Sequence, residues 1–104
     1  METNKQTKVG LKDILAKRED ILKLADEYEF KNITIFGSVA RGEEIEESDI
    51  DIAVSSDSID KYIGRRICFQ DDLSEMFNKK VDVSAEENLM PIIKKRVLKE
   101  GIKL

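Results

Sequence analysis

The residues whose types and spacing could do chemistry are three aspartates and a glycine–serine pair. Asp49-Ile50-Asp51 opens an apolar stretch that runs to Val54. In a strand, residues i and i+2 face the same way. Both carboxylates then share one face, while Ile50 and Ile52 point to the other face and the core. Their separation would be on the order of 6–7 Å, close enough for mutual repulsion in a half-buried site. Aspartate is also a poor strand former, so two of them in an apolar strand need compensation. A divalent cation supplies it, and an oxygen-only ligand set without His or Cys points to Mg2+ or Mn2+. The bland alternative is an exposed strand face that happens to carry Asp.

Asp82 lies between Val81 and Val83 in a third short apolar stretch. Alternation puts the valines on one face and Asp82 on the other. A lone Asp in a short strand is usually just solvated. Here it is a third carboxylate, and adjacent strands in register would bring all three together around one cation or two. Gly37-Ser38 directly follows the segment Asn32–Phe36. Glycine lets the backbone approach a ligand closely, and amides at a strand-to-helix turn form an anion cradle. The Ser38 hydroxyl could add a hydrogen bond to a phosphate oxygen. Alone the pair is a weak signal, and no Gly-Lys-Ser/Thr follows that would make it a Walker A loop.

Composition narrows the chemistry. The 104 residues contain no histidine and one cysteine. That removes His-assisted nucleophiles, His general bases and common zinc sites, and it fits a reducing cytoplasm. The net charge is −4 and the pI about 5.0, an acidic balance that argues against nucleic acid as partner. No apolar run approaches the ~20 residues that span a bilayer, and the opening METNKQTKVG is polar, without a signal-peptide core. Residues 1–9 read as a polar segment and 10–104 as a single domain.

The elements that must position these residues follow from periodicity. Leu11, Ile14, Leu15, Ile21, Leu22, Ala25 and Tyr28 recur at steps of three and four, which predicts one amphipathic helix of about five turns. Asn32–Phe36 reads as a strand, residues 38–47 as a short helix and acidic loop, and Asp49–Val54 as a second strand. Serines and aspartates at 55–58 offer caps for a helix whose face is Ile59, Ile63, Ile67, Leu73 and Phe77. Lys80–Val83 is a third strand, and Ile92, Ile93, Val97 and Leu98 mark a last helix ending near Gly101. The expected fold class is α+β, a small mixed β-sheet covered by helices. Whether the first two strands pair parallel or antiparallel is not set by the sequence. Cys68 is expected as packing within its helix. Lys94-Lys95-Arg96 and Lys99 read as a solvated helix face.

Ten residues separate Ser38 from Asp49. Gly37-Ser38-Val39-Ala40-Arg41-Gly42 followed by Ser48-Asp49-Ile50-Asp51 resembles the signature of the polymerase-β-like nucleotidyltransferases: Gly-Ser, about ten residues, then Asp-x-Asp. Arg41-Gly42 and Ser48 make it similar in particular to the minimal (MNT) branch, which includes antitoxins paired with HEPN-domain toxins. The likeness spans roughly residues 30–100. It implies the nucleotidyltransferase fold, with Asp49, Asp51 and Asp82 as catalytic metal ligands for Mg2+, one ion or two, Mn2+ substituting. Gly37 and Ser38 would hold the phosphates of ATP, with Arg41 beside them. The alternative for Arg41 is a salt bridge to the Glu43–Glu47 loop. Those glutamates depart from what a polyanion site wants, and read as a solvated loop or a contact for a basic partner.

In the family's reaction a hydroxyl attacks the α-phosphorus and pyrophosphate leaves. Asp82 is the candidate to deprotonate that hydroxyl. A domain this small favours a protein acceptor. The resemblance therefore implies AMP transfer from ATP to a hydroxyl, in particular a tyrosine, of a HEPN toxin. Tyr28 and Tyr62 are possible self-modification acceptors that helix packing explains equally well. Two alternatives stand beside this: an antitoxin that acts by binding alone, with nucleotide as a structural ligand, and nucleotidyl transfer to a small molecule or an RNA end.

Overall fold

The computed structural model describes residues 9–43, 48–56 and 62–104. The elements are α1 (Leu11–Ala16), α2 (Arg18–Glu27), β1 (Phe30–Phe36), α3 (Ser38–Arg41), β2 (Ile50–Ser56), α4 (Tyr62–Phe77), β3 (Val81–Ala85), α5 (Pro91–Glu100) and β4 (Ile102–Lys103). A 3-10 turn, Glu86–Asn88, links β3 to α5. The polar segment expected at residues 1–9 lies outside the described residues except for Val9, as do Glu44–Glu47 and Asp57–Lys61.

Among the described residues the strands form one mixed sheet in the order β3-β2-β1-β4. β1 and β2 are antiparallel, which the sequence had left open, and β2 and β3 are parallel with α4 as the crossover. The alternation read from Ile50 and Ile52 holds. Ile35, Ile50, Ile52, Val54, Val81 and Val83 form the apolar face and are buried. Against it pack α1, through Ile14, α2, through Ile21 and Ala25, and α4, through Phe69 and Leu73. Phe30 sits at the centre of an aromatic group, 5.3 Å from the Phe69 ring and 6.0 Å from Tyr62. Helical stability here comes from this burial rather than from propensity, since α1 and α3 are too short to stand alone.

Three details differ from the periodicity. The single long helix is broken at Lys17, whose backbone (φ −109°, ψ 20°) leaves the helical region and separates α1 from α2. The phase of α4 is set by Tyr62, Phe69 and Leu73, so Ile63 and Ile67 face outward and Cys68 is exposed instead of packed. β1 starts earlier than expected, at Phe30, and carries a bulge: Asn32 takes φ 54° where the register with β2 shifts. A two-residue β4 adds a further edge, Ile102 opposite Ile35 and Lys103 opposite Thr34. No described helix is long and apolar enough to cross a membrane.

Candidate active site

The opposite face of the sheet carries the polar residues. Pairing places Phe36 of β1 opposite Asp51 of β2, and Asp51 opposite Asp82 of β3. One row across three strands therefore ends in two neighbouring aspartates, on the face away from the core as alternation requires. Asp49 lies one residue before β2. Its carboxylate is 3.9 Å from the Lys80 ammonium, an exposed and weak pair.

At the end of β1 the chain turns sharply through Gly37 (φ 79°, ψ −156°) into α3. Two independent facts require glycine there. The backbone lies in a region that side-chain-bearing residues avoid. A Cβ would also collide with Oδ2 of Asp51 and lie 3.2 Å from its Cγ. The turn and the carboxylate are thus in van der Waals contact. Ser38 opens α3, where the first backbone amides have no partner inside a helix, and Gly42 closes it in the left-handed conformation (φ 72°).

Phe36, Gly37, Ser38, Arg41 and Asp51 line a cleft of about 350 Å³, closed on the far side by Ile93, Arg96 and Glu100 of α5. Four of the sequence-derived site residues share it: Gly37, Ser38, Arg41 and Asp51. Asp82 adjoins through Asp51, and Asp49 sits toward the rim. Both readings of Arg41 are realised at once. It lines the cleft, and its Nε donates to Glu43 Oε1 at 2.9 Å while Nη1 approaches Glu100 Oε1 at 3.6 Å. These acidic partners, Glu43 foremost, raise its already high pKa.

The sequence pattern placed Arg96 on a solvated face, gave Ile93 only as one of the residues marking the last helix, and assigned Glu100 no role. The signal was present: 93, 96 and 100 fall at steps of three and four, one stripe of α5. Tyr28 and Tyr62 lie away from the cleft lining. The Tyr28 hydroxyl donates to Asp72 at 2.7 Å, and its pKa is pushed up to about 12, mainly by that bond. Tyr62 is buried, and burial raises its pKa.

Burial is also the first cause of the shift at Asp51, followed by the charges of Asp82 and Asp49. Together they push its carboxyl up from 3.8 to about 6, against the opposing pull of Arg41. The chain thus holds a half-buried carboxylate in a field of like charge, with oxygen donors around it. That donor set fits a hard divalent cation. Among the described residues no three carboxylates are gathered into a ready-made ligand cage.

The family model described as "Polymerase beta, Nucleotidyltransferase" matches residues 11–104. The chain belongs to the polymerase beta nucleotidyltransferase family. It is 41% identical over 88 residues to a candidate protein adenylyltransferase, MJ0128, of Methanocaldococcus jannaschii, covering 84% of this chain and 87% of that one. Its fold matches that of a candidate minimal nucleotidyltransferase with a TM-score of 0.80 at 31% identity, over 92% of this chain and 97% of the other. A chain of a toxin–antitoxin complex solved with AMP-PNP matches with a TM-score of 0.70 at 25% identity, over 82% and 69% of the two chains. As a family member the chain is a nucleotidyltransferase of minimal size, with the mixed sheet and helices of that fold.

Proposed function

We propose that this nucleotidyltransferase is a Mg2+-dependent protein adenylyltransferase that transfers AMP from ATP to a tyrosine hydroxyl of a HEPN-type toxin, as the antitoxin of the pair. The observation that carries the reading is the meeting of Gly37, Asp51 and Asp82: a glycine turn pressed against one of two neighbouring carboxylates. The name of MJ0128 and the AMP-PNP complex support the substrate and the setting.

In this reading the amides after Gly37 and the Ser38 hydroxyl hold phosphate oxygens. Arg41 exchanges Glu43 for a phosphate, whose geometry its planar fork suits. Asp49, Asp51 and Asp82 would hold the Mg2+, which when bound offsets the charge of the carboxylates and the triphosphate. The acceptor oxygen bonds to the α-phosphorus, the bond from that phosphorus to the β-phosphate oxygen breaks, and pyrophosphate leaves. Asp82, the more exposed carboxylate at the edge of the row, takes the acceptor's proton. No covalent enzyme intermediate is needed, which suits a chain without histidine.

The test is incubation with Mg2+, a HEPN-type toxin and ATP labelled at the α- or γ-phosphate. Label is expected on the toxin from the α position only, and none with Asp49→Ala/Asp51→Ala. An unlabelled toxin, or labelling that survives the double variant, sinks the reading. Protection of cells by Asp49→Asn/Asp51→Asn would favour neutralisation by binding alone, a reading that the engagement of Arg41 by Glu43 also suits.

A further inference from the structure

β3 is the edge strand of the sheet, yet it carries Asp82. On its inner side β3 is fixed by the ladder to β2, Ile50 to Val81 through Val54 to Ala85. On its outer side no strand lies among the described residues. The amides of Val81 and Val83, which flank Asp82, point outward there, and both are taken by side chains of α4. Val81 N–H donates to Ser74 Oγ at 3.0 Å, and Val83 N–H donates to Gln70 Oε1 at 2.8 Å.

The spacing is commensurate. Four residues of helix advance about 6 Å, and two residues of strand about 6.6 Å. Side chains at 70 and 74 therefore meet amides at 83 and 81 without strain, with helix and strand running in opposite directions. Arg66, one turn earlier, donates Nη1 to the same Gln70 oxygen at 3.3 Å and holds the amide side chain in place. Short polar side chains in a helix interior cost helix stability, so Ser74 is explained by its partner rather than by propensity.

We propose that Gln70 and Ser74 are positioning residues for Asp82: they act as a substitute edge strand that holds the third carboxylate in register beside Asp51. This rests on the reading of Asp82 as a site carboxylate. The pair touches neither nucleotide nor metal. Without it, the amides of Val81 and Val83 lose their acceptors, β3 is held by its β2 side alone, and the edge strand can slip or fray. Asp82 would then spend part of its time out of the row.

The experiment measures Mn2+ affinity of the AMP-PNP-bound protein by electron paramagnetic resonance, with amide exchange at Val83 as the readout independent of metal. Gln70→Met keeps the length and loses the acceptor; Gln70→Glu keeps the acceptor. Gln70→Met is expected to weaken Mn2+ binding about tenfold and to speed Val83 exchange, and Gln70→Glu to stay near wild type. In an Asp82→Asn background the same Gln70→Met change should add nothing, because Gln70 acts through Asp82. Ser74→Ala should behave as a weaker Gln70→Met, and it keeps the test open if the latter folds poorly. Effects of Gln70→Met and Asp82→Asn that simply multiply would assign Gln70 to the fold at large and overturn the proposal. Unchanged Mn2+ affinity in both Gln70→Met and Ser74→Ala, beside a weakened Asp82→Asn, overturns the positioning role alone. Unchanged affinity in Asp82→Asn itself overturns the site reading, and the positioning role with it.

Discussion

Replacing Gly37 with alanine separates two costs that the structure puts at one residue. The first is conformational. At φ 79° and ψ −156° a non-glycine residue carries about 2 kcal/mol of strain. For a domain near 100 residues each kcal/mol moves the melting temperature by about 4–8 °C, so this cost alone lowers it by about 8–16 °C. The second is steric. The new methyl group would collide with Asp51 Oδ2, while the Asp51 Cβ stands at an ordinary 3.4 Å. Shortening Asp51 to alanine therefore relieves the collision but leaves the strain. The assay is thermal or urea unfolding of wild type, Gly37→Ala, Asp51→Ala and the double variant at pH 7 without divalent cations. The expected cycle has a coupling energy of about 1 kcal/mol or more, the double variant being more stable than the sum of the two single changes allows. Two results would refute the reasoning. Gly37→Ala within about 0.5 kcal/mol of wild type denies the strain. Strict additivity denies that the turn and the carboxylate are in contact.

Asp51→Asn should raise stability at pH 8 and leave it nearly unchanged at pH 4. The folded carboxyl titrates at about 6 against 3.8 for the free group, so the folded state holds the proton more tightly. The stability this confers is complete below the unfolded pKa and is lost as pH rises through about 6. After screening of a half-buried group the difference should be about 1–2 kcal/mol, read as the change in melting temperature between the two pH values. A wild-type curve as flat as that of Asp51→Asn would remove the electrostatic argument. Glu43→Gln should lower KM for ATP about threefold with little change in kcat, because it frees the Arg41 guanidinium from its 2.9 Å partner. An unchanged KM would mean that Arg41 does not meet the triphosphate.

The parts legible in the sequence are those with a fixed local period. Asp49, Ile50, Asp51 and Ile52 alternate, and a strand converts that directly into faces. The same holds for Val81, Asp82 and Val83. Gly37 after a β-branched run marks the turn, though its deeper cause, the Asp51 oxygen beneath it, is a contact across two strands that no local pattern carries. Pairing direction was not legible, because residues 37–49, which include α3, separate β1 from β2 and are too many for the tight turn that marks a hairpin. β4 was hidden by its length, since two residues have no periodicity. The phase of α4 was misread because Ile63 and Ile67 satisfy the helical spacing as well as Tyr62, Phe69 and Leu73 do; the aromatic partners of Phe30 decide between the stripes. Arg96 was visible only once α5 was known to close the cleft.

In the proposed reading, the placement of charge gives a physical reason for a cation to accompany the nucleotide. Asp51 and Asp82 are held as neighbours by the register of β2 and β3, Asp51 is braced from one side by the Gly37 turn, and β3 is braced from the other by Gln70 and Ser74. A frame fixed on both sides does not let the carboxylates move apart, so Asp51, which burial already pushes toward its neutral form, relieves the added repulsion by keeping its proton. The nearby cations do not substitute. Lys80 reaches only Asp49, at 3.9 Å, with most of its side chain in water, and Arg41 is committed to Glu43 and Glu100. Arg96 adds a positive charge to the cleft, yet Asp49, Asp51, Asp82, Glu43 and Glu100 outnumber Arg41, Arg96 and Lys80, so a bare triphosphate meets more negative charge than positive. In that reading, a rigid acidic pair beside the Gly37 turn is a poor site for free ATP and a good one for ATP that arrives with its counter-ion, and the selectivity follows from backbone register more than from any single side chain.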